Sequence, residues 1–150
     1  MIEESMFGIH DLSNMELDPS SALPRFNMPL ELGLFLGAKR FGEARQKKKR
    51  AVILDRDQYR FMKSISDISG QDIKNHNASP IEAIRCVRDW LASHAKPRIV
   101  PSGSHISARF KSYERDLPKI CSELRLNPSQ LTFNDLLETM AEWLKANAET

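Results

Sequence analysis

The sequence contains no long apolar run. Its longest, at residues 30–38, is interrupted by one glutamate and two glycines, whereas a bilayer-spanning helix needs roughly 20 predominantly apolar residues in a row. The amino-terminal letters M-I-E-E-S are acidic, and a secretory signal peptide begins with positive charge instead. We therefore expect a cytoplasmic protein with no membrane partner.

The sequence also has little excess charge and few cysteines. Lys and Arg together number 22 and Asp and Glu 20, a net charge of +2, which is too balanced to indicate nucleic acid as a partner. The basic run at residues 45–50 lacks interleaved aromatics and follows a predicted helix end, where cations complement the helix dipole. We interpret it as a solvated link between the end of that helix and the next strand. Cys86 and Cys121 lack metal-ligand spacing, so we expect reduced, buried thiols.

Several familiar motifs of catalytic and phosphate-binding sites are missing as well. The sequence has neither G-x-x-x-x-G-K-[ST] nor G-x-G-x-x-G, the two usual phosphate cradles. The serines of residues 64–69 lack the G-x-S-x-G elbow, which argues against a serine hydrolase. His76, His94 and His105 show no ligand spacing, so we predict no metal site and no cofactor.

What the sequence does contain is an alternation of short apolar segments with amphipathic ones. F-G-I-H-D-L at residues 7–12 and A-V-I-L-D at residues 51–55 are typical of parallel strands covered on both faces. A third, short strand is predicted at residues 98–100. Predicted helices occupy residues 28–41, 58–68, 79–94 and 104–124, and a last one begins after Thr132.

This order predicts an α/β fold, with three layers, a small parallel sheet of about three strands flanked by helices, and two C-terminal helices. We place one domain at residues 1–100 and a helical extension packed on it at residues 101–150. Because ligands of parallel α/β sheets bind outside the carboxyl ends of the strands, polar residues there are candidates for a site. They are Asp11 with Ser13, Asp55 with Arg56, and residues 102–104.

The helix at residues 28–41 is apolar on all faces, which is typical of a helix buried between other elements. Asn27 is a good N-cap, and Glu31 is the one carboxylate in the first turn. Burial of a carboxylate favours its neutral form and can prepare it as an acid or base; the alternative is that Glu31 only accepts from first-turn amides. Gly33 and Gly37 share a face that another backbone or a ligand can approach.

Two further features surround this helix. The loop at residues 13–26 is long for a compact domain, which is typical either of a binding loop or of a plain surface excursion. His10 and Asp11 are neighbours in the first strand and therefore point to opposite faces. We expect His10 to be a core or edge histidine rather than a partner of Asp11.

The letters I-H-D-L-S, a loop and N-M-P-L-E-L-G-L-F-L-G-A resemble the strand–loop–helix of bacterial TIR-like domains and nucleoside 2-deoxyribosyltransferases, which have a flavodoxin-like fold. Asn27, Glu31 and Gly33 match the N-x-x-x-E-x-G start of that helix, although Phe35 stands where a small residue is expected. The A-V-I-L-D strand, the S-D-I-S-G-Q-D-I segment and the P-I-E-A-I-R-C-V-R-D-W-L helix extend the resemblance over residues 5–95.

The resemblance implies recognition of a nucleotide or nucleoside and cleavage of an N-glycosidic bond, as in an NAD or nucleoside glycohydrolase. Glu31 would act on the ribose as nucleophile or electrostatic stabiliser of an oxocarbenium-like centre. Asp11 would orient a sugar hydroxyl, and Arg25 and Asn27 would position the ligand. The further ligand-binding candidates at the strand ends are Ser13, Asp55 and Arg56.

Domains of this kind carry one or two βα units ahead of the aspartate-bearing strand. Only six residues precede Phe7, so we expect those units to be missing and the edge of the first strand to be exposed unless a helix or a second subunit covers it. The alternative function is therefore a catalytically silent interaction or ligand-sensing module, for which a homodimer is a candidate.

Overall fold

The computed structural model describes residues 2–19, 22–94 and 99–148. The chain forms two compact units, residues 1–103 and 104–150, and each is described by itself. The strands are β1 (Phe7–Asp11), β2 (Arg50–Asp55) and β3 (Asp72–Asn75). The helices are α1 (Asn27–Phe41), α2 (Pro80–His94), α3 (Gly103–Glu123) and α4 (Phe133–Ala146).

The sheet of the first unit is parallel, with the order β1-β2-β3. Gly8 lies opposite Ala51 in the first ladder, and Ile53 lies opposite Ile73 in the second. β2 is the central strand, and five of its six residues, 51–55, are buried, as expected of a strand covered on both faces. The predicted α/β fold with a small parallel sheet flanked by helices is confirmed.

Two apolar clusters hold the helices against the sheet. On the α1 face, the buried members come from β2, α1, the segment after β1 and the β2–β3 connection; they are Leu12, Leu32, Ile53, Phe61 and Ile68. On the other face, Val52 and Leu54 of β2 pack against Trp90 of α2. Because successive strand residues point to opposite faces, the run of aliphatic residues in β2 supplies both clusters.

Gly8 lets α1 approach β1 closely. A Cβ atom at Gly8 would lie 2.7 Å from His10 Nε2, closer than real Cβ contacts allow, and 3.0 Å from a ring carbon of Phe35. His10 and Phe35 pack edge to face, with ring centroids 5.3 Å apart. His10 is buried and Asp11 is exposed, so the expectation that they point to opposite faces is confirmed.

The third strand lies elsewhere than predicted. Ile99 and Val100 are not in a strand, and Arg98 lies outside the described residues. The strand is instead β3, which contains a single aliphatic residue, Ile73. An edge strand exposes much of its surface, so β3 lacks the apolar run by which buried strands are predicted.

α1 is also less buried than its composition predicts. Only Leu32 and Phe35 are buried, whereas the fractional exposures of Leu30, Leu34 and Phe41 are 64%, 55% and 86%. The prediction of a helix buried on all sides is therefore wrong, because this three-stranded sheet covers only one side of α1. Apart from the neighbouring residues and backbone of α1 itself, no described atom lies within 4 Å of a Cβ placed on Gly33 or Gly37.

The start of α1 differs from the prediction too. Asn27 is the first helical residue rather than the cap, and Phe26, at the N-cap position, makes no side-chain capping hydrogen bond. Glu31 consequently lies in the second turn, and the first turn contains no acidic residue. The helix dipole acts mainly within the first turn, so its effect on Glu31 is smaller than expected.

The remaining predicted helices are found with small changes. Residues 58–68 form two short 3₁₀ helices, Arg60–Lys63 and Ser66–Ile68, in place of one α-helix. Before α2, the Ser79 hydroxyl accepts a hydrogen bond from the Glu82 amide at 3.3 Å. α3 continues through Pro118 as one helix. Every helix within the described ranges is too short or too polar to span a membrane.

The second unit packs α3 against α4 around aromatic side chains. The Tyr113 hydroxyl lies 2.9 Å from Thr139 Oγ1, and Trp143 Nε1 donates to Asp116 Oδ2 at 2.9 Å. Thr132 and Asp135 cap α4 reciprocally, as the sequence predicts for Thr132. The apolar residues of α4 are only partly buried, and the exposed ones are Phe133, Leu137, Met140 and Leu144.

Both cysteines are free. Cys121 of α3 is buried as expected, whereas Cys86 of α2 is half-buried. Burial raises the pKa of the Cys86 thiol, which favours the unreactive thiol form over the thiolate.

Lys49 is a buried lysine that holds the amino-terminal segment against the sheet. Its fractional exposure is 1%. The ammonium group donates to the carbonyl oxygens of Ile2 at 2.5 Å and Glu3 at 3.4 Å, and also to that of Ser5. It lies 5.0 Å from the centroid of the Phe35 ring. A buried ammonium needs such acceptors to replace water.

We expect Lys49→Met to lower the free energy of unfolding by about 2 kcal/mol, because the charged donor of several carbonyls is lost. Urea denaturation measures this change. Lys48→Met is the matched control, since Lys48 is exposed and a surface substitution of this kind changes stability by about 0.5 kcal/mol or less. Equal stability of the two variants would show that the Lys49 contacts contribute nothing.

Candidate functional site

Polar side chains from all three strands meet at the carboxyl edge of the sheet. Asp11 ends β1, and Ser13 follows it by two residues; His76 follows β3 directly. Ser13 Oγ lies 2.6 Å from His76 Nε2 and is also hydrogen-bonded to Asp11 Oδ1. His76 Nε2 is 3.6 Å from Asp11 Oδ1. We call Asp11, Ser13 and His76 the edge triad.

Hydrogen counting assigns the donors in the edge triad. An ionised carboxylate only accepts hydrogen bonds, so the one hydroxyl hydrogen of Ser13 points to Asp11. The hydrogen between Ser13 and His76 must then belong to His76 Nε2. His76 therefore donates to Ser13 and does not act as its base, which is the opposite of the arrangement that activates a serine nucleophile.

The edge triad is partly accessible to a ligand. The Asp11 side chain is 48% exposed, while that of His76 is 8% exposed. His76 Nδ1 is buried and makes no hydrogen bond to the described residues. The exposed carboxylate oxygens of Asp11 can accept hydrogen bonds from hydroxyl groups, such as those of a sugar.

Asp55 and Arg60 connect the ends of β1 and β2. Asp55 Oδ1 accepts from Arg60 Nε at 2.8 Å and from the Arg56 amide at 2.7 Å. Arg60 also donates to the carbonyl oxygen of Leu12 at 2.7 Å. The side-chain exposures of Asp55 and Arg60 are 1% and 14%. We call the Asp55–Arg60–Leu12 interaction the strand-end clamp.

Arg56, a predicted ligand residue, is held by two carboxylates. It forms a hydrogen-bonded ion pair with Glu16 and donates from Nε to Asp57 Oδ2 at 3.1 Å. The hydrogen bond from Arg56 lowers the pKa of Glu16, and the hydrogen bond to Glu16 raises the pKa of Arg56. Its side chain is 35% exposed, so part of the guanidinium group faces solvent.

Glu31 lies on the α1 side of the sheet near His10, and its residue is exposed rather than buried. Burial lowers the pKa of His10, and the negative charge of Glu31 opposes that shift. Within the described residues, Glu31 makes no hydrogen bond or ion pair. Its carboxylate is therefore available to a ligand. It lacks the burial that was expected to favour its neutral form.

Two other predicted residues, Arg25 and Asn27, form no hydrogen bond or ion pair with the edge triad within the described residues. Arg25 Nη2 is 3.6 Å from Asp18 Oδ2 within the long loop, and Asn27 is an exposed residue at the start of α1. Residues 102–104 were placed at the end of a strand at residues 98–100 that the structure does not contain. They lie instead where α3 begins, so the strand end that placed them at this edge is not found.

Three residues of this region had no functional role in the sequence analysis. His76 is hidden because β3 is not apolar enough to be predicted, and Glu16 lies in a loop whose folding has no periodic signal. Arg60, five residues after Asp55, falls in the segment predicted as an ordinary helix. The sequence signal for Arg60 is its short separation from Asp55 at the end of β2, which brings a cation near that carboxylate.

The acidic and histidine side chains that the structure describes do not form a metal centre. Across residues 2–19, 22–94 and 99–148, no three His, Cys, Asp or Glu side chains are grouped so that they could hold an ion. Comparisons with protein-family models, with curated proteins and with solved structures found no match to this chain. Functional assignment therefore depends on the geometry of the edge itself.

We expect Arg60→Met to lower the free energy of unfolding by about 3 kcal/mol, because Asp55 would remain as a buried carboxylate without its cation. Arg56→Met is the matched control. It removes a largely solvated ion pair, which contributes under about 1 kcal/mol. Urea denaturation of both variants measures the difference, and similar losses would contradict a special role for the strand-end clamp.

Proposed function

We propose that this chain binds a nucleotide or nucleoside in the crevice outside the carboxyl ends of β1, β2 and β3, and that Glu31 acts in cleaving its N-glycosidic bond. The observation that carries the binding proposal is the convergence of Asp11 and Ser13 from the end of β1 with His76 from the end of β3. Parallel α/β sheets bind ligands at this edge.

The chemistry of the edge suits a sugar phosphate. The half-exposed carboxylate of Asp11 can accept hydrogen bonds from ribose hydroxyls, because each carboxylate oxygen has two lone pairs. The partly exposed guanidinium group of Arg56 can donate to a phosphate. Arg25 and Asn27 are both exposed, and their side chains would help to position the ligand.

Glu31 is suited to a developing positive charge. Burial lowers the pKa of the neighbouring His10, so near neutral pH that imidazole carries little charge with which to neutralise the glutamate. Breaking an N-glycosidic bond develops positive charge on the sugar, and a nearby free carboxylate stabilises this charge or attacks the anomeric carbon. The resemblance of the N-x-x-x-E-x-G segment supports the same role.

We expect Glu31→Gln to lower base release from NAD or a nucleoside by about 100-fold or more, because the neutral amide cannot stabilise the sugar cation. Chromatography of the released base measures the rates of the variant and of the wild-type protein at equal concentration. Glu43→Gln is the control, since Glu43 is also exposed and lies just beyond α1. Unchanged release by Glu31→Gln would exclude this mechanism.

A second candidate function is a catalytically silent interaction or ligand-sensing module. The exposed residues Leu30, Leu34 and Phe41 of α1, together with the outer edge of β1, which pairs with no described strand, favour it. Such surfaces are typical of association, including that of two copies. Nucleotide-dependent stabilisation without base release, with a dimer in light scattering, would favour this function over catalysis.

A further inference from the structure

A second recessed region lies beside β3, and its lining includes none of the three edge-triad residues. It has a volume of about 360 Å³ and lies between β3 and the connection from β2. Ile73 and Asn75, two residues apart on β3, form one wall. The volume is at the lower end of the range for small-molecule sites, so it suits one ring system better than a polymer. We call this region the β3 pocket.

Tyr59 contributes an aromatic ring to the β3 pocket from an unusual backbone conformation. Its φ and ψ angles are 63° and 7°, in the left-handed region. Residues with large side chains rarely adopt this backbone conformation. The residue is 63% exposed, so its ring gains little from packing. Sparsely populated backbone conformations cluster at ligand-binding sites, and here the same turn also begins the 3₁₀ helix that carries Arg60.

The rest of the lining combines one flexible apolar side chain with amides. Met62 is 53% exposed and lines the pocket together with Gln58 and Gln71. The side-chain amides of Gln58 and Gln71 make no hydrogen bond to any residue that the structure describes. A planar heteroaromatic ring offers a face for Tyr59 and an edge of donors and acceptors for these amides.

The β3 pocket adjoins the proposed ligand edge. Asp57 lines the pocket and accepts a hydrogen bond from Arg56 at 3.1 Å. Asn75, on the pocket wall, immediately precedes His76 of the edge triad. One ligand can therefore place a ring in the pocket while its sugar or phosphate lies at the strand ends.

We propose that the β3 pocket is a nucleobase subsite in which Tyr59 stacks on the base and Gln58 and Gln71 bind its polar edge. This inference rests on the proposed function for the identity of the ligand as a nucleotide. It goes further by assigning the base to a place that neither Glu31 nor the edge triad specifies.

The test is calorimetric titration of the full chain with adenosine 5′-monophosphate and, separately, with ribose 5-phosphate, which lacks the base. We expect Tyr59→Phe to bind the nucleotide as the wild type does. Tyr59→Gly should bind it about tenfold or more weakly, because base–aromatic stacking is lost. Ribose 5-phosphate should bind all three proteins equally.

Folding failure is controlled for by thermal melting. Glycine adopts the left-handed conformation without strain, so Tyr59→Gly should melt no lower than wild type. Arg125→Gly is the matched control, since Arg125 has a similar φ of 57° and should leave nucleotide affinity unchanged. A Tyr59→Gly protein that melts well below the wild type would show that the ring packs structurally, which would overturn the proposal.

The outcomes separate this inference from the proposed function. Equal binding of the nucleotide by wild type and Tyr59→Gly overturns the base subsite and leaves the Glu31 mechanism standing. Absence of nucleotide binding to the wild type also overturns the subsite. Weakened binding by Tyr59→Gly, together with base release that Glu31→Gln does not change, supports the subsite and rejects the mechanism.

Discussion

The strand-end clamp is the interaction on which the candidate site depends. Arg60 joins the buried carboxylate of Asp55, at the end of β2, to the carbonyl oxygen of Leu12, just after β1. A charge buried without a partner is costly, so loss of Arg60 would leave the Asp55 carboxylate destabilised at the end of β2. The position of the clamp holds Asp11 and Ser13 where His76 can reach them from β3. The clamp is therefore structural, while the half-exposed edge triad remains available to a ligand.

Much of the sheet and its helices could be predicted because burial leaves a pattern. β2 is covered on both faces, and A-V-I-L-D shows this as an unbroken aliphatic run. The Ser79-Pro80 start of α2 and the Thr132 cap of α4 depend on local backbone hydrogen bonds, which nearby residues alone determine. Asp11 and Asp55 were predicted at one edge because parallel strands share a direction, and the structure places both there.

What could not be predicted depends on contacts without a local pattern. β3 is an edge strand with one aliphatic residue, so its position, and with it the role of His76, emerges only from pairing with β2. The apolar composition of α1 predicted burial, but how many of its faces are covered depends on the number of neighbouring elements. Burial of Glu31 was predicted for the same reason. Because Glu31 is exposed, the property that suits it to catalysis is the absence of a hydrogen-bond or ion-pair partner among the described residues, not desolvation.

A ligand bound at the carboxyl edge of the sheet would change the environment of the backbone amides there. The most direct measurement is a titration of the ¹⁵N-labelled chain with NAD, followed by amide chemical shifts in two-dimensional NMR spectra. We expect saturable shifts concentrated at Ser13, Arg56 and His76, with those of α4 unchanged. Shifts confined to the opposite edge of the sheet or to α4, or no saturable shift with NAD or with adenosine, would contradict a ligand site at the carboxyl edge.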